Sequence, residues 1–206
     1  MGAQLASALD LRVPEACLLE ITPEFAATVP NPEIAEIMKR SIGWNFGSRK
    51  LPPGYTNVLA GRPLLLTFRA TAAEIFAFDG IIQNPDRRVS NPNCLTNGSE
   101  MVILDHELAF SFLMDIFPQK PPWDGGNVSF LRDHVFFEPL RQTPVSFDRL
   151  AGAVDALKYE HLARFTDAVP LEWAGGKDAA GQILEYILLM KRNILPTLEA
   201  IKTILR

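Results

Sequence analysis

Apolar residues open the chain at helical spacing: Leu5, Ala6, Leu9 and Leu11 follow Met1 with no preceding cap, and Pro14 ends the pattern. Ala16–Ile21 (ACLLEI) is a short apolar run that suits a buried strand. Asn31-Pro32 sets a capping side chain before a proline at the first helical position. That predicts a helix from Pro32 to about Ile42, with Ile34, Ile37 and Met38 facing inward. Residues 43–63 are rich in Gly, Pro and Asn, have no period, and read as a loop or a linker between lobes. Thr71 and Glu74 have capping-box spacing, and Ile75, Phe78 and Ile82 carry a helix to about Gln83. The polar, proline-broken stretch 84–93 is a loop. Cys94–Leu95 and Met101–Leu104 then flank Asn97-Gly98, a two-residue hairpin signal. Further helices are expected over 107–115, 127–138, 146–166 and 178–205, the last interrupted at Pro196. This order predicts an α+β architecture.

Composition narrows the function classes. With 206 residues, 48% apolar and 21% charged, the chain has the make-up of a folded protein. A formal charge of −4 supplies no general attraction for nucleic acid or an anionic membrane, so neither is an expected partner. The most apolar late segment, Ile183–Leu195, is broken by Glu185, Lys191, Arg192 and Asn193, and does not read as a membrane span. The N-terminus has no basic region of a signal peptide, and Ala6 stands where myristoylation wants Ser or Thr. Cys17 and Cys94 fit no disulfide or zinc spacing and read as free thiols in a reducing, cytoplasmic setting.

The candidate chemistry lies between Phe78 and Phe110. A helix leads into a polar loop holding Asp86, Arg87, Asn91 and Asn93, and the second strand of the hairpin that follows ends at Asp105. Two carboxylates and an amide thus meet at one end of a small sheet. Phosphoryl transfer uses such a set. One carboxylate orients the attacking hydroxyl, while an amide and a second carboxylate hold the Mg2+ that neutralises phosphate charge. Magnesium prefers oxygen ligands and leaves part of its octahedral shell to water and phosphate.

Asp-Arg, a spacer, Asn-x-Leu and an apolar strand ending in Asp resemble the catalytic loop and metal strand of kinases. NPDRRVSNPNCL followed by VILDHELAF is similar specifically to the HipA-like kinase family. The resemblance implies Asp86 as the catalytic aspartate with Asn93 beside it, and Asn93 and Asp105 as metal ligands, Asp105 being the principal one. Asn91 competes with Asn93. It has the ordinary kinase spacing from Asp86, whereas Asn93 stands in the better local match and is favoured. Residues 2–21 resemble the family's N-lobe helix and the strand leading to the nucleotide hinge, which implies Glu20 and Ile21 near the adenine. Phe46-Gly47-Ser48 resembles a recurring loop of the family.

The implied organisation is a remnant of the N-terminal lobe and hinge over 1–30 and a mostly helical C-terminal lobe, with the metal-binding hairpin, over 31–206. The implied reaction transfers the γ-phosphate of ATP, with Mg2+, to a hydroxyl acceptor, a protein being the first candidate, in a bacterial cytoplasm. The family's phosphate-covering loop and strand lysine belong upstream of the first helix. Lys39 and Lys50 lie in the wrong order to replace them, and no GxxxxGK[ST] segment exists. The expectation is therefore an N-terminally truncated kinase domain without one main source of triphosphate stabilisation, and its activity in this form is open.

Plainer roles compete at each position. Asp86 and Arg87 suit an exposed loop ion pair, Asn91 and Asn93 suit turns, and Asp105 suits a cap for a helix beginning near His106. Asp105-His106 also suits a metal hydrolase. His134 and His161 read as surface or satisfied core histidines, and Phe110, Phe112, Phe117, Phe136 and Phe137 as core. Asp124-Gly125-Gly126 reads as a loop, and Arg141, Lys158 and Lys191 as solvated helix charges. A non-catalytic, kinase-like interaction module is the alternative from a different class.

Overall fold

The apolar opening forms helix α1 (Gly2–Ala8), which sends Leu5 and Ala6 fully into the core, with Leu9 following at its C-cap. A computed structural model describes residues 1–117, 120–174 and 178–206. Strand β1 (Ala16–Ile21) forms where expected but is not buried, with Leu18 and Leu19 exposed by 45% and 53%. Its antiparallel partner is β2 (Gly43–Ser48), inside the stretch that reads as a loop, running from Ala16 opposite Ser48 to Ile21 opposite Gly43. Glycines at 43 and 47 mask the period-two placement of Trp44 and Phe46. Gly47 answers a packing need, because a Cβ there would stand 2.7 Å from Leu19 Cδ1.

Between these strands lie α2 (Pro23–Ala27) and α3 (Pro32–Arg40). Asn31 caps α3 as its sequence predicts, its Oδ1 accepting from the N–H groups of Glu33 and Ile34 at 3.0 and 3.2 Å. The expected inner face is not inside: Ile34 and Ile37 are 46% and 62% exposed. Nothing among the described residues forms a layer over them.

A second sheet has the order β3 (Thr56–Asn57), β4 (Cys94–Thr96), β5 (Met101–Ile103), all antiparallel. Gly98, at φ +89°, supplies the left-handed residue of the predicted turn between β4 and β5. Between β3 and β4 in the chain runs α4 (Arg69–Ile81), buried almost all round from Ala72 onward. It begins ahead of Thr71 and has no side-chain cap, so the expected capping box does not form. Glu74 instead pairs with Arg149 at 2.5 and 2.6 Å.

The second half is more broken than its apolar pattern suggests. Ser111–Met114 and Ser129–Asp133 are 3-10 turns, followed by α5 (Phe137–Leu140), α6 (Asp148–Ala156), α7 (Tyr159–Asp167), α8 (Ala179–Arg192) and α9 (Ile194–Ile204). Lys191, expected in solvent, is half-buried and donates to the carbonyl of Leu157 at 2.6 Å, where α6 ends. The last helical run breaks at Asn193. Pro196 falls in the first turn of α9, where its missing N–H interrupts no helical bond. Among the described residues, no helix is long and apolar enough to cross a membrane.

Candidate functional site

A carboxylate in the middle of a buried helix organises the polar loop. Asp79, on α4, has no exposure and must be paired to be tolerated there. It accepts from Asn84 Nδ2 at 2.9 Å, Arg87 Nε at 2.6 Å, Arg87 Nη2 at 3.4 Å and His134 Nε2 at 3.0 Å. Burial by itself would raise its pKa. The Arg87 guanidinium, with the hydrogen bond from His134, overrides that and holds it well below the usual carboxylate range. Burial pushes the His134 imidazole down against the pull of Asp79, so the ring is neutral. Its Nε2–H donates to Asp79 while Nδ1 accepts from the Phe136 N–H at 3.1 Å. The contact is a hydrogen bond of a neutral ring rather than an ion pair, and His134 is a satisfied core histidine.

Arg87 is therefore not the exposed partner of Asp86. Its side chain is fully buried against Asp79, and Arg88, half-exposed, pairs with Asp86 Oδ1 at 2.9 Å. The two asparagines converge on the other oxygen: Asp86 Oδ2 accepts from Asn91 Nδ2 at 2.8 Å and Asn93 Nδ2 at 3.1 Å. Asp86 itself is 8% exposed. Each amide spends its nitrogen on Asp86, and neither amide oxygen accepts a hydrogen bond among the described residues. The backbone distinguishes them. Asn91 closes a turn onto Arg88, whereas Asn93 immediately precedes β4, and its carbonyl accepts from the Leu104 N–H at 3.0 Å. The hairpin register, Cys94 opposite Ile103, thus carries Asn93 beside the strand end that bears Asp105.

Asp105 is exposed and left-handed, at φ +55°, and no hydrogen bond or ion pair engages its carboxylate among the described residues. No helix begins at His106; the chain forms a turn there, so Asp105 is not a helix cap. The His106 ring is held edge-on to Phe78, and its Nε2 lies 3.4 Å from Arg87 Nη2. Burial, then the Arg87 charge, pushes its pKa down to about 4. A ring nitrogen facing a guanidinium is poorly placed to ligate a cation. Among the described residues, no three of His, Cys, Asp and Glu gather as a metal cluster. The exposed Asp105 carboxylate and the amide oxygens of Asn91 and Asn93 are oxygen donors, which fit Mg2+ better than a transition metal.

Asp105 and His106 border a cavity of about 470 Å³, shared with Pro14, Phe46, Ser48 and Trp173. Gly2 is necessary for that wall, since a Cβ there would approach His106 Cβ to 2.8 Å. Trp173 Nε1 donates to the Trp44 carbonyl at 2.8 Å and ties the far wall to β2. Glu20 and Ile21 do not reach the cavity. The antiparallel register sets them at the opposite end of the ribbon, across from Trp44 and Gly43, and brings the Ser48 end to Asp105.

Asp79, Asn84, Arg88 and the role of His134 escape a reading of the loop alone. One signal for Asp79 is in the sequence: a single acid between Phe76, Phe78, Ile81 and Ile82 requires a buried partner. His161 and Asp124 are exposed and apart from the site, while Phe110, Phe136 and Phe137 are core as expected and Phe117 is 76% exposed.

No curated protein and no solved structure matches this chain. A family model described as HipA-like kinase matches residues 1–201, nearly the whole length. Matched over nearly its whole length, and with both loop asparagines converging on Asp86, the chain belongs to the HipA-like kinase family.

Proposed function

We propose that the protein binds ATP with Mg2+ and transfers the γ-phosphate to a hydroxyl acceptor, a protein side chain being the first candidate. The observation that carries this reading is the convergence of Asn91 and Asn93 on Asp86, with the hairpin setting Asn93 beside Asp105. Asp86 is the residue for the acceptor hydroxyl: its Oδ1 is engaged by half-exposed Arg88 and can accept the hydroxyl proton once Arg88 yields. Asp105 and the Asn93 amide oxygen are the residues that would hold Mg2+, with Asn91 as the alternative amide. Bound there, the ion supplies neutralisation of phosphate charge. The cavity of about 470 Å³ between Ser48 and Asp105 is within the usual size of a small-molecule site, roughly 300–1,000 Å³, and is the natural place for the nucleotide.

Thermal melting with ATP, with and without Mg2+, beside Asp105→Ala tests this. Saturation to about 100 times Kd adds roughly 2.7 kcal/mol, or about 5–10 °C for a chain of this size. The expected result is a Mg2+-dependent rise that Asp105→Ala abolishes; an equal rise in the variant removes Asp105 from the site, and no rise in either sinks the proposal. The second reading, a non-catalytic interaction module, draws on exposed Leu18, Leu19, Ile34, Ile37 and Phe46, and is favoured by the last outcome.

A further inference from the structure

We infer that Arg87, secured by Asp79, is a positioning residue that sets the metal affinity of the Asn93–Asp105 pair by tying the two hairpin ends together. The inference rests on the Mg2+-nucleotide reading above. The guanidinium is fully buried and divided between two tasks. Nε and Nη2 hold Asp79. Nη1 donates to the carbonyls of Asn93 and of Leu104, the latter at 3.2 Å.

Those carbonyls mark the place where the hairpin stops being a ladder. β4 and β5 have three residues each, and the last bond between them runs from the Leu104 N–H to the Asn93 carbonyl. Immediately there, both chains leave the extended region: Asn93 has φ +43° and Asp105 has φ +55°. Two such short strands, with left-handed residues just outside them, leave the separation of the two side chains weakly determined by sheet pairing alone. Arg87 supplies the missing constraint. A planar fork with fixed donor directions can span two carbonyls and a carboxylate at once, which a lysine ammonium on a flexible stem does not reproduce.

Asp79 has a second effect. It neutralises the guanidinium, so the clamp adds no net positive charge beside a cation site. Asn84 serves a different branch of the same hub, reaching Asp79 through Nδ2 and the Asp86 N–H, at 3.3 Å, through Oδ1. The hub therefore has an arm to the metal pair and an arm to the acceptor residue, and the two are separable by mutation.

The test is Mn2+ binding, followed by the loss of free-ion EPR signal, in the full chain with a non-hydrolysable ATP analogue. Wild type, Arg87→Lys and Asn84→Ala are compared, and binding of the analogue without metal is measured in parallel. Arg87→Lys is expected to raise the Mn2+ Kd at least about tenfold, the usual effect of removing a group that orients metal ligands. Its metal-free analogue binding should match wild type, and Asn84→Ala should leave Mn2+ affinity unchanged. If Arg87→Lys does not melt cooperatively, Asp79→Glu takes its place with the same expectation. Wild-type Mn2+ affinity in Arg87→Lys, or an equal loss in Asn84→Ala, overturns the clamp while leaving the nucleotide reading intact. A wild type that takes up no Mn2+ overturns both.

Discussion

Truncating Asp79 to alanine should destabilise the fold far more than removing any surface charge. The carboxylate has no exposure and accepts four hydrogen bonds, from Asn84, from Arg87 twice, and from His134. Without it, the Arg87 guanidinium stays in a fully buried position with two neutral carbonyls and no counter-charge. Breaking a buried ion pair from one side typically costs about 3–5 kcal/mol, because a charge is left uncompensated. The orphaned donors of Asn84 and His134 act in the same direction but share the same relaxation, so their losses do not simply add. For a chain of this length, about 3–5 kcal/mol lowers Tm by roughly 6–20 °C. The assay is thermal unfolding by circular dichroism, with Lys39→Ala as control, since the Lys39–Glu36 pair is 58% and 61% exposed and contributes little. Replacing both partners, Asp79→Leu with Arg87→Leu, should recover part of the loss, because no lone charge remains. A Tm for Asp79→Ala within about 2 °C of the Lys39→Ala control would refute the reasoning, since it would correspond to less than about 1 kcal/mol.

Three further outcomes are expected. Gly80→Ala should lower stability by up to about 2 kcal/mol in urea unfolding. The new Cβ would stand 2.6 Å from Ile201 Cδ1 in a fully buried contact, and overpacking of about 1–3 kcal/mol outweighs the roughly 1 kcal/mol of helix propensity gained; a stabilised variant would contradict this. Stability should also fall on mild acidification. The folded pKa of His106 is lowered to about 4, so its contribution is complete above the unfolded value of about 6.5 and is lost as pH falls through the window down to about 4. His134 acts with the same sign, and a urea midpoint that stays constant from about pH 7 to 4.5 would show that neither ring is held neutral. Finally, Cys94 is buried and its thiol pushed up to about 12, whereas Cys17 is exposed. A thiol reagent near neutral pH should label one cysteine in the native chain and both after denaturation, and rapid native labelling of Cys94 would show that the β4 region opens readily.

The α+β order, the Asn31 cap, the Asn97-Gly98 hairpin and the candidate residues Asp86, Asn93 and Asp105 were all legible in the linear chain, for local reasons. Capping, turn chemistry and the alternation of loop and apolar strand act over a few residues, and those are the scales a sequence displays directly. The same locality explains the misreadings. β2 depends on pairing with a strand more than twenty residues away, and its glycines suppress the period-two signal that would announce it. The capping box at Thr71 lost to tertiary packing, which starts α4 earlier and gives Glu74 to Arg149.

What the sequence determined by itself is therefore the identity and order of the candidate groups and the hairpin that follows their loop. What only the tertiary structure decided is how those groups are held. It buried Arg87 against Asp79 and turned Arg88 toward Asp86, although the two arginines are neighbours with equal claims on either acid. It also left Ile34 and Ile37 facing outward on a helix whose pattern asked for a core. Both choices turn on desolvation: whether a charge or an apolar side chain is removed from water depends on what other elements bring to it, and periodicity along one element does not contain that information.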